Sequence, residues 1–212
     1  MEPKFNPDSL VLARDFEGMT QTALAKILGV SQGKVSKMED GILTVTLETV
    51  SKLEDIFGRP KTFFMNGWER TGMEGFYRKK NSLPQKVQRR AHALMNIERL
   101  QFQALDKVHK FVPKLPYLDP DEHLGGAVEI AKKMRRSLDI SNGAIANLTG
   151  IVEQAGCIVR YIDYGTLKID GYSVFTEGHT PIIFLNRAFP SDRRRLTLAH
   201  EFGHIIMTKF MS

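Results

Sequence analysis

Two histidines four residues apart, His200 and His204, stand with a glutamate at 201 in the stretch LAHEFGHIIM of a 212-residue chain. On a helix this spacing projects both imidazoles from one face, where they can share one metal ion. Glu201 lies about 100° further round the helix. There it is poorly placed to bind the same ion but can take a proton from a water held against it. Bound zinc lowers the pKa of its water and polarises a carbonyl, so the trio suits peptide hydrolysis. Such a site uses three protein ligands and keeps a fourth position open. The eight residues after His204 are Ile-Ile-Met-Thr-Lys-Phe-Met-Ser, with no carboxylate or imidazole among them. His179, Asp170, His123 and Cys157 have suitable chemistry for a third ligand, although a histidine in the Gly-rich EGHTP turn suits solvent better. The chain as written is therefore expected to hold zinc weakly or not at all, and to be weakly active or inactive.

The elements that must position these residues follow from local signals. Pro190-Ser191-Asp192 is a capping signal, and a helix is expected from Arg193 to about Met207, with Leu198, Phe202, Ile205 and Ile206 turned inward. Gly203 is unfavourable inside a helix by about 1 kcal/mol relative to Ala, which predicts close approach by another backbone. Upstream, Cys157 to Ile162, Gly171 to Thr176 and Thr180 to Leu185 read as three short strands forming a meander. Helices are expected at Asp121 to Leu138 and about Ile145 to Ala155. This half reads as an α+β unit.

The first 64 residues carry no such chemistry. They read as short helices: one capped by Asn6 or Asp8 and running to Glu17, then Gln21 to Leu28, Gln32 to Glu39, and Thr46 or Leu47 to Phe57. Gly18, Gly41 and Gly58 close three of them, and Phe63-Phe64 fold back on the bundle. Gly29 sits where the chain must bend, with positive φ expected, and Ser31 is placed to cap the next helix. Two helices joined by a tight Gly-containing turn are the layout of a helix-turn-helix.

Between the halves, residues 65–83 read as a linker in which Phe76-Tyr77 dock locally. From Pro84 to Phe111 no Gly or Pro interrupts a long helix. Its Leu94, Ile97, Gln101, Ala104, Val108 and Phe111 form a seam that either pairs two chains or packs on the C-terminal domain. The net charge of +6 is concentrated here: residues 1–70 hold 9 Lys/Arg against 10 Asp/Glu, residues 71–114 hold 10 against 3, and residues 115–212 hold 11 against 11. A basic segment suits nucleic acid or an acidic protein, or is simply a solvated helix face. The single cysteine, Cys157, excludes an internal disulfide and suits a reducing compartment, where it reads as a small buried apolar residue. No apolar run approaches the roughly 20 residues of a membrane helix, and the N-terminus lacks a signal layout, so a cytoplasmic protein is expected.

TQTALAKILGVSQGKVSKMEDG resembles the helix-turn-helix of the XRE-type, lambda-repressor-like DNA-binding family. The resemblance implies that the second helix of the motif enters the major groove. By position, Gln32, Gly33, Lys34 and Lys37 then face base edges, and Gln21, Ser31 and Ser36 suit phosphate oxygens. Gly33 offers no reading side chain where the family often has one. The near-neutral charge of residues 1–70 predicts weak binding by one copy, so a homodimer or help from the basic middle segment is expected.

DGYSVFTEGHTPIIFLNRAFPSDRRRLTLAHEFGHIIM resembles the ImmA/IrrE family of metallopeptidases, and FYRKKNSLPQK resembles the start of the basic connector that joins the two domains in such proteins. The resemblance implies a zinc-dependent endopeptidase of regulatory type, acting on a co-encoded repressor or another regulatory protein. His200 and His204 would be its ligands and Glu201 its base, with a third ligand, a Glu, on a later helix. The expected architecture is mainly α with a small α+β part. It comprises a helix-turn-helix domain at 1–66, a linker and basic amphipathic helix at 67–118, and a zincin-like domain, incomplete at its C-terminus, at 119–212. A second reading keeps the DNA-binding repressor and makes the peptidase-like domain an inactive ligand sensor or docking module. A third is an interaction module, such as an antitoxin-like partner, that uses neither chemistry.

Overall fold

The computed structural model describes residues 4–65, 67, 83–109 and 115–207. The expected linker contact of Phe76-Tyr77, and the chain beyond Met207, lie outside the described residues. The chain forms two compact units, residues 1–100 and 101–212.

In the first unit the sequence signals become helix ends. Helix α1 (Pro7–Phe16) is capped by Asn6, whose side chain accepts from the amide of Asp8. Thr20 caps α2 (Gln21–Leu28), Ser31 caps α3 (Gln32–Glu39) and Thr46 caps α4 (Leu47–Phe57), each accepting from an amide three residues on. These hydroxyls satisfy backbone donors that the first turn cannot pair. Gly29, in the turn between α2 and α3, has φ 67° as expected. A short helix α5 (Lys61–Met65) carries Phe64 into the bundle. Leu10, Leu24, Val35, Val50, Leu53 and Phe64 are fully buried and form one core.

Helix α6 (Gln85–His109) supplies the expected long helix. Ala93 and Ile97 close over Leu12 of α1, with Phe16, Phe63 and Leu100 at the edge of the cluster, so the start of α6 completes the N-terminal bundle. The three-and-four spacing recorded an apolar face without saying which surface would meet it. Further along, Leu105 and Val108 are exposed.

In the second unit the helix expected from Asp121 is interrupted. A single 3-10 turn (Pro120–Glu122) comes first, and α7 (Gly126–Ser137) starts only at Gly126, with Gly125 and Gly126 both at positive φ. Helix α8 is Leu148–Gln154 and is capped by Asn147. Strands β1 (Ile158–Ile162), β2 (Gly171–Phe175) and β3 (Pro181–Asn186) lie within a residue of their expected bounds, but they do not form a meander. The order is β1-β3-β2, with β3 parallel to β1 and antiparallel to β2. Burial explains the order. All six residues of β3 are buried, so it takes the centre, while β1 and β2 keep partly exposed residues and take the edges. The molecule is thus mainly helical with a small mixed sheet.

Helix α9 (Ser191–Met207) packs on β2 and β3, and Leu198, Phe202, Ile205 and Ile206 enter a core shared with Val152, Ile183 and Leu185. Among the described residues no helix is long and apolar enough to cross a membrane.

Candidate metal centre and nucleic-acid interface

The histidine pair depends on how α9 meets the sheet. Alternate residues of β2 face the helix. A Cβ added at Gly171 would lie 2.7 Å from Cγ2 of Thr197 and 2.7 Å from the carbonyl oxygen of Phe184. Two residues on, Ser173 donates from Oγ to Oε2 of Glu201 at 2.9 Å. Two strand residues advance about 6.7 Å and four helix residues about 6 Å, so strand and helix stay in register over this span. Phe175 and Ile205, next in the two series, belong to the same core cluster. Gly171 therefore permits the approach that brings Ser173 to Glu201. Gly203, where such an approach was expected, would meet only the tip of Met207 at 3.5 Å among the described residues.

On the outward side of α9 the two imidazoles converge. Their Nε2 atoms are 3.0 Å apart, with ring centroids at 4.5 Å and planes at 86°. Two nitrogens on one tetrahedral zinc stand about 3.3 Å apart, given Zn–N of about 2.0–2.1 Å, so the pair fits a shared ion. His200 is exposed and His204 half-buried, whereas Glu201 is only 9% exposed. Its carboxylate also acts on the fully buried Tyr164, whose phenol is pushed well above its ordinary pKa by burial first and by the Glu201 charge second. The arrangement holds a carboxylate in fixed orientation beside two convergent nitrogen donors, below an edge strand.

In the first unit, α3 presents an exposed face of Gln32, Gly33, Lys34 and Lys37. Arg14, 6% exposed, sets this face from beneath. Its guanidinium donates from Nε to Glu39 Oε1 at 2.5 Å and from Nη2 to Glu39 Oε2 at 3.0 Å. The same group reaches Asp15 at 2.8 Å and the carbonyl of Met19 at 2.9 Å. Glu39 in turn accepts from Gln21 Nε2 at 2.8 Å, and Gln21 Oε1 accepts from Gln32 Nε2 at 2.6 Å. A chain of hydrogen bonds thus runs from the buried Arg14 to the exposed amide of Gln32. Ser31 accepts from the amide of Lys34 at 3.3 Å, which leaves its hydroxyl hydrogen for an outward acceptor. Ser36 turns along α3 and donates to Asp40 at 3.3 Å.

Residues 13–64 match a family model described as helix-turn-helix, and residues 152–211 match one described as IrrE N-terminal-like domain. The chain joins an XRE-type helix-turn-helix domain to an ImmA/IrrE-like peptidase domain. No curated protein and no solved structure matches it. It is a DNA-binding regulator by the first domain and peptidase-like by the second.

In the second unit the other candidate ligands lie in other settings. Asp170 accepts from Arg193 Nε at 2.6 Å. His123 places Nδ1 2.8 Å from the carbonyl oxygen of Asp119, and its Nε2 lies 3.4 Å from Lys133 Nζ. His179 occupies the β2–β3 turn at φ 62°. Cys157 is buried in the core, and burial pushes its thiol up to about 12. Among the described residues no group of three His, Cys, Asp or Glu gathers around a common point.

Sequence reasoning missed Arg14, Glu39 and Ser173. The polar position of Ser173 in an alternating strand was a usable signal, because it marks the face that Gly171 shares. Arg14 gave none, since a cation amid Leu10, Ala13 and Phe16 reads as solvent-facing until its partner on α3 is known.

Proposed function

We propose that this chain is a transcriptional regulator whose ImmA/IrrE-like domain holds zinc weakly through His200 and His204 and, once a third ligand completes the site, acts as an endopeptidase on a regulatory protein, such as a co-encoded repressor. The observation that carries the reading is the 3.0 Å convergence of the two Nε2 atoms beside a carboxylate held by Ser173. When bound, zinc supplies a Lewis acid and lowers the pKa of a ligated water. Glu201 accepts the proton from the attacking water through Oε1, while Ser173 holds Oε2. Among the described residues strand β2 pairs only with β3. Its other edge suits an extended peptide, which main-chain hydrogen bonds would align above α9.

On DNA, the reading assigns Gln32 to adenine and Lys34 and Lys37 to guanine or nearby acceptors, with Gln21, Ser31 and Ser36 on phosphates. Gly33 contributes backbone alone. The protein acts as a homodimer on two half-sites, because the nearly neutral residues 1–70 of one copy neutralise few phosphates.

Zinc titration against a chromophoric competitor tests the metal reading. Binding is expected in the unaltered chain and is lost in His200→Ala and in His204→Ala at unchanged helicity. Affinity equal in all three proteins removes the site. With the co-encoded repressor, zinc-dependent fragments are expected once a third ligand completes the site, and none from Glu201→Gln in the same protein. A zinc-loaded protein that leaves the repressor intact supports the second reading, a DNA-binding repressor with an inactive peptidase-like domain that senses a ligand or docks a partner. The engagement of Asp170, His123 and Cys157 elsewhere favours that reading.

A further inference from the structure

Beside the helix-turn-helix, within the first unit, lies an open polar cleft of about 680 Å³. Its lining includes Thr20, Gln21 and Gln32 together with Lys86 and Arg89 from the first turns of α6. We infer that α6 is part of the DNA interface: the sugar-phosphate strand flanking the read groove runs along this cleft, with Lys86 and Arg89 on its phosphates. The inference rests on the DNA-binding reading and adds a contact surface outside the helix-turn-helix.

Three observations carry it. First, the position is shared. The residues that open α2 and α3, where phosphate and base contacts begin, line the same cleft as the two cations. Second, the cations are anchored. A Cβ at Gly18 would come within 2.9 Å of Lys86 Cε, so the lysine stem lies directly on the α1–α2 turn. Arg90 Nε donates to the carbonyl of Phe16 at 3.2 Å, and Ala93 and Ile97 pack on Leu12. Both charged groups nonetheless stay exposed.

Third, the acidic groups of the cleft already have partners. Glu39 is held by Arg14 and Gln21, and Asp40 accepts from Ser36. Asp15 is paired with Arg14, and Arg89 acts on it only as a nearby charge. Neither Lys86 nor Arg89 forms a salt bridge among the described residues. Residues 1–70 carry 9 Lys/Arg against 10 Asp/Glu, so phosphate neutralisation must draw on the basic excess of residues 71–114, to which α6 contributes.

The test is fluorescence anisotropy of the full chain on two labelled 30-bp duplexes, one from upstream of its own gene and one of random sequence, across a salt series. Each lost phosphate contact lowers the slope of log Kd against log salt by about 1. The Lys86→Gln/Arg89→Gln variant is therefore expected to lose about 2 in slope, equally on both duplexes, with an unchanged melting curve. Lys86→Arg/Arg89→Lys should retain the slope. A slope equal to that of the unaltered chain in the Gln pair overturns the inference. If Gln32→Ala/Lys37→Ala meanwhile loses preference for the upstream duplex, the DNA-binding reading survives alone. Absence of binding by the unaltered chain to either duplex overturns both.

Discussion

Replacing Glu39 by alanine would strip the buried Arg14 of two of its four polar contacts and release Gln21 from its acceptor. Arg14 is 6% exposed, so water cannot replace what is lost without opening the α1–α3 interface. Breaking a buried ion pair from one side costs about 3–5 kcal/mol. Asp15 and the Met19 carbonyl still hold Nη1, which places the expected loss near the lower end, about 3 kcal/mol. Because the chain has two units, a single denaturation curve would mix them. Hydrogen exchange of the slowest α1 amides reads the first unit alone, and about 3 kcal/mol corresponds to exchange roughly 150-fold faster. Arg14→Met/Glu39→Leu should lose less than Glu39→Ala, since no uncompensated charge stays buried. Exchange less than about fivefold faster in Glu39→Ala, or a double variant worse than the single, would refute the reasoning.

Gly171→Ala should destabilise the second unit by more than about 1 kcal/mol, because the new methyl meets the Phe184 carbonyl and Thr197 at 2.7 Å; exchange of β3 amides reads this. Gly33→Ala should stabilise the first unit by up to about 1 kcal/mol, since nothing lies within 4 Å of the added Cβ and α3 loses its flexible residue; the same α1 amides check it. Cys157 should resist alkylation at neutral pH until the chain unfolds, which mass spectrometry measures. Burial raises its pKa from about 9 to about 12, so the unfolded thiol ionises first. Stability should accordingly fall as pH rises through that window, by about 1.4 kcal/mol per unit from this group. Tyr164, raised in the same direction, adds to the loss above pH 10. Cys157→Ala should remove the thiol's part, and an unchanged alkaline slope in that variant would count against the assignment.

How far the fold was legible depended on the sequence range of the forces involved. Helix starts at Asn6, Thr20, Ser31 and Thr46 are decided by a hydroxyl or amide oxygen and a backbone donor within three residues, so they could be read directly. The strands were legible for a similar reason, but their order was not. Neighbouring strands usually pair, and here the preference yields to burial, because PIIFLN can bury every residue only between the other two. The break before α7 was written in Gly125-Gly126, but helical spacing on either side masked it. The surface that α6 covers was not legible, because an apolar stripe states an area and not a partner.

The two candidate sites divide along the same line. His200, Glu201 and His204 could be assigned because one helix carries all three and its period fixes their relative directions. What holds Glu201 still comes from Ser173, 28 residues away on β2, and depends on the missing side chain of Gly171. The candidate DNA face repeats the pattern. Gln32 is legible from its place at the start of α3, yet its amide is aimed through Gln21 and Glu39 by Arg14, a residue of α1. In each case the short-range motif names the candidate group, and a distant partner fixes its geometry. Substitutions at Ser173 or Arg14 should therefore alter the sites while leaving every motif residue in place.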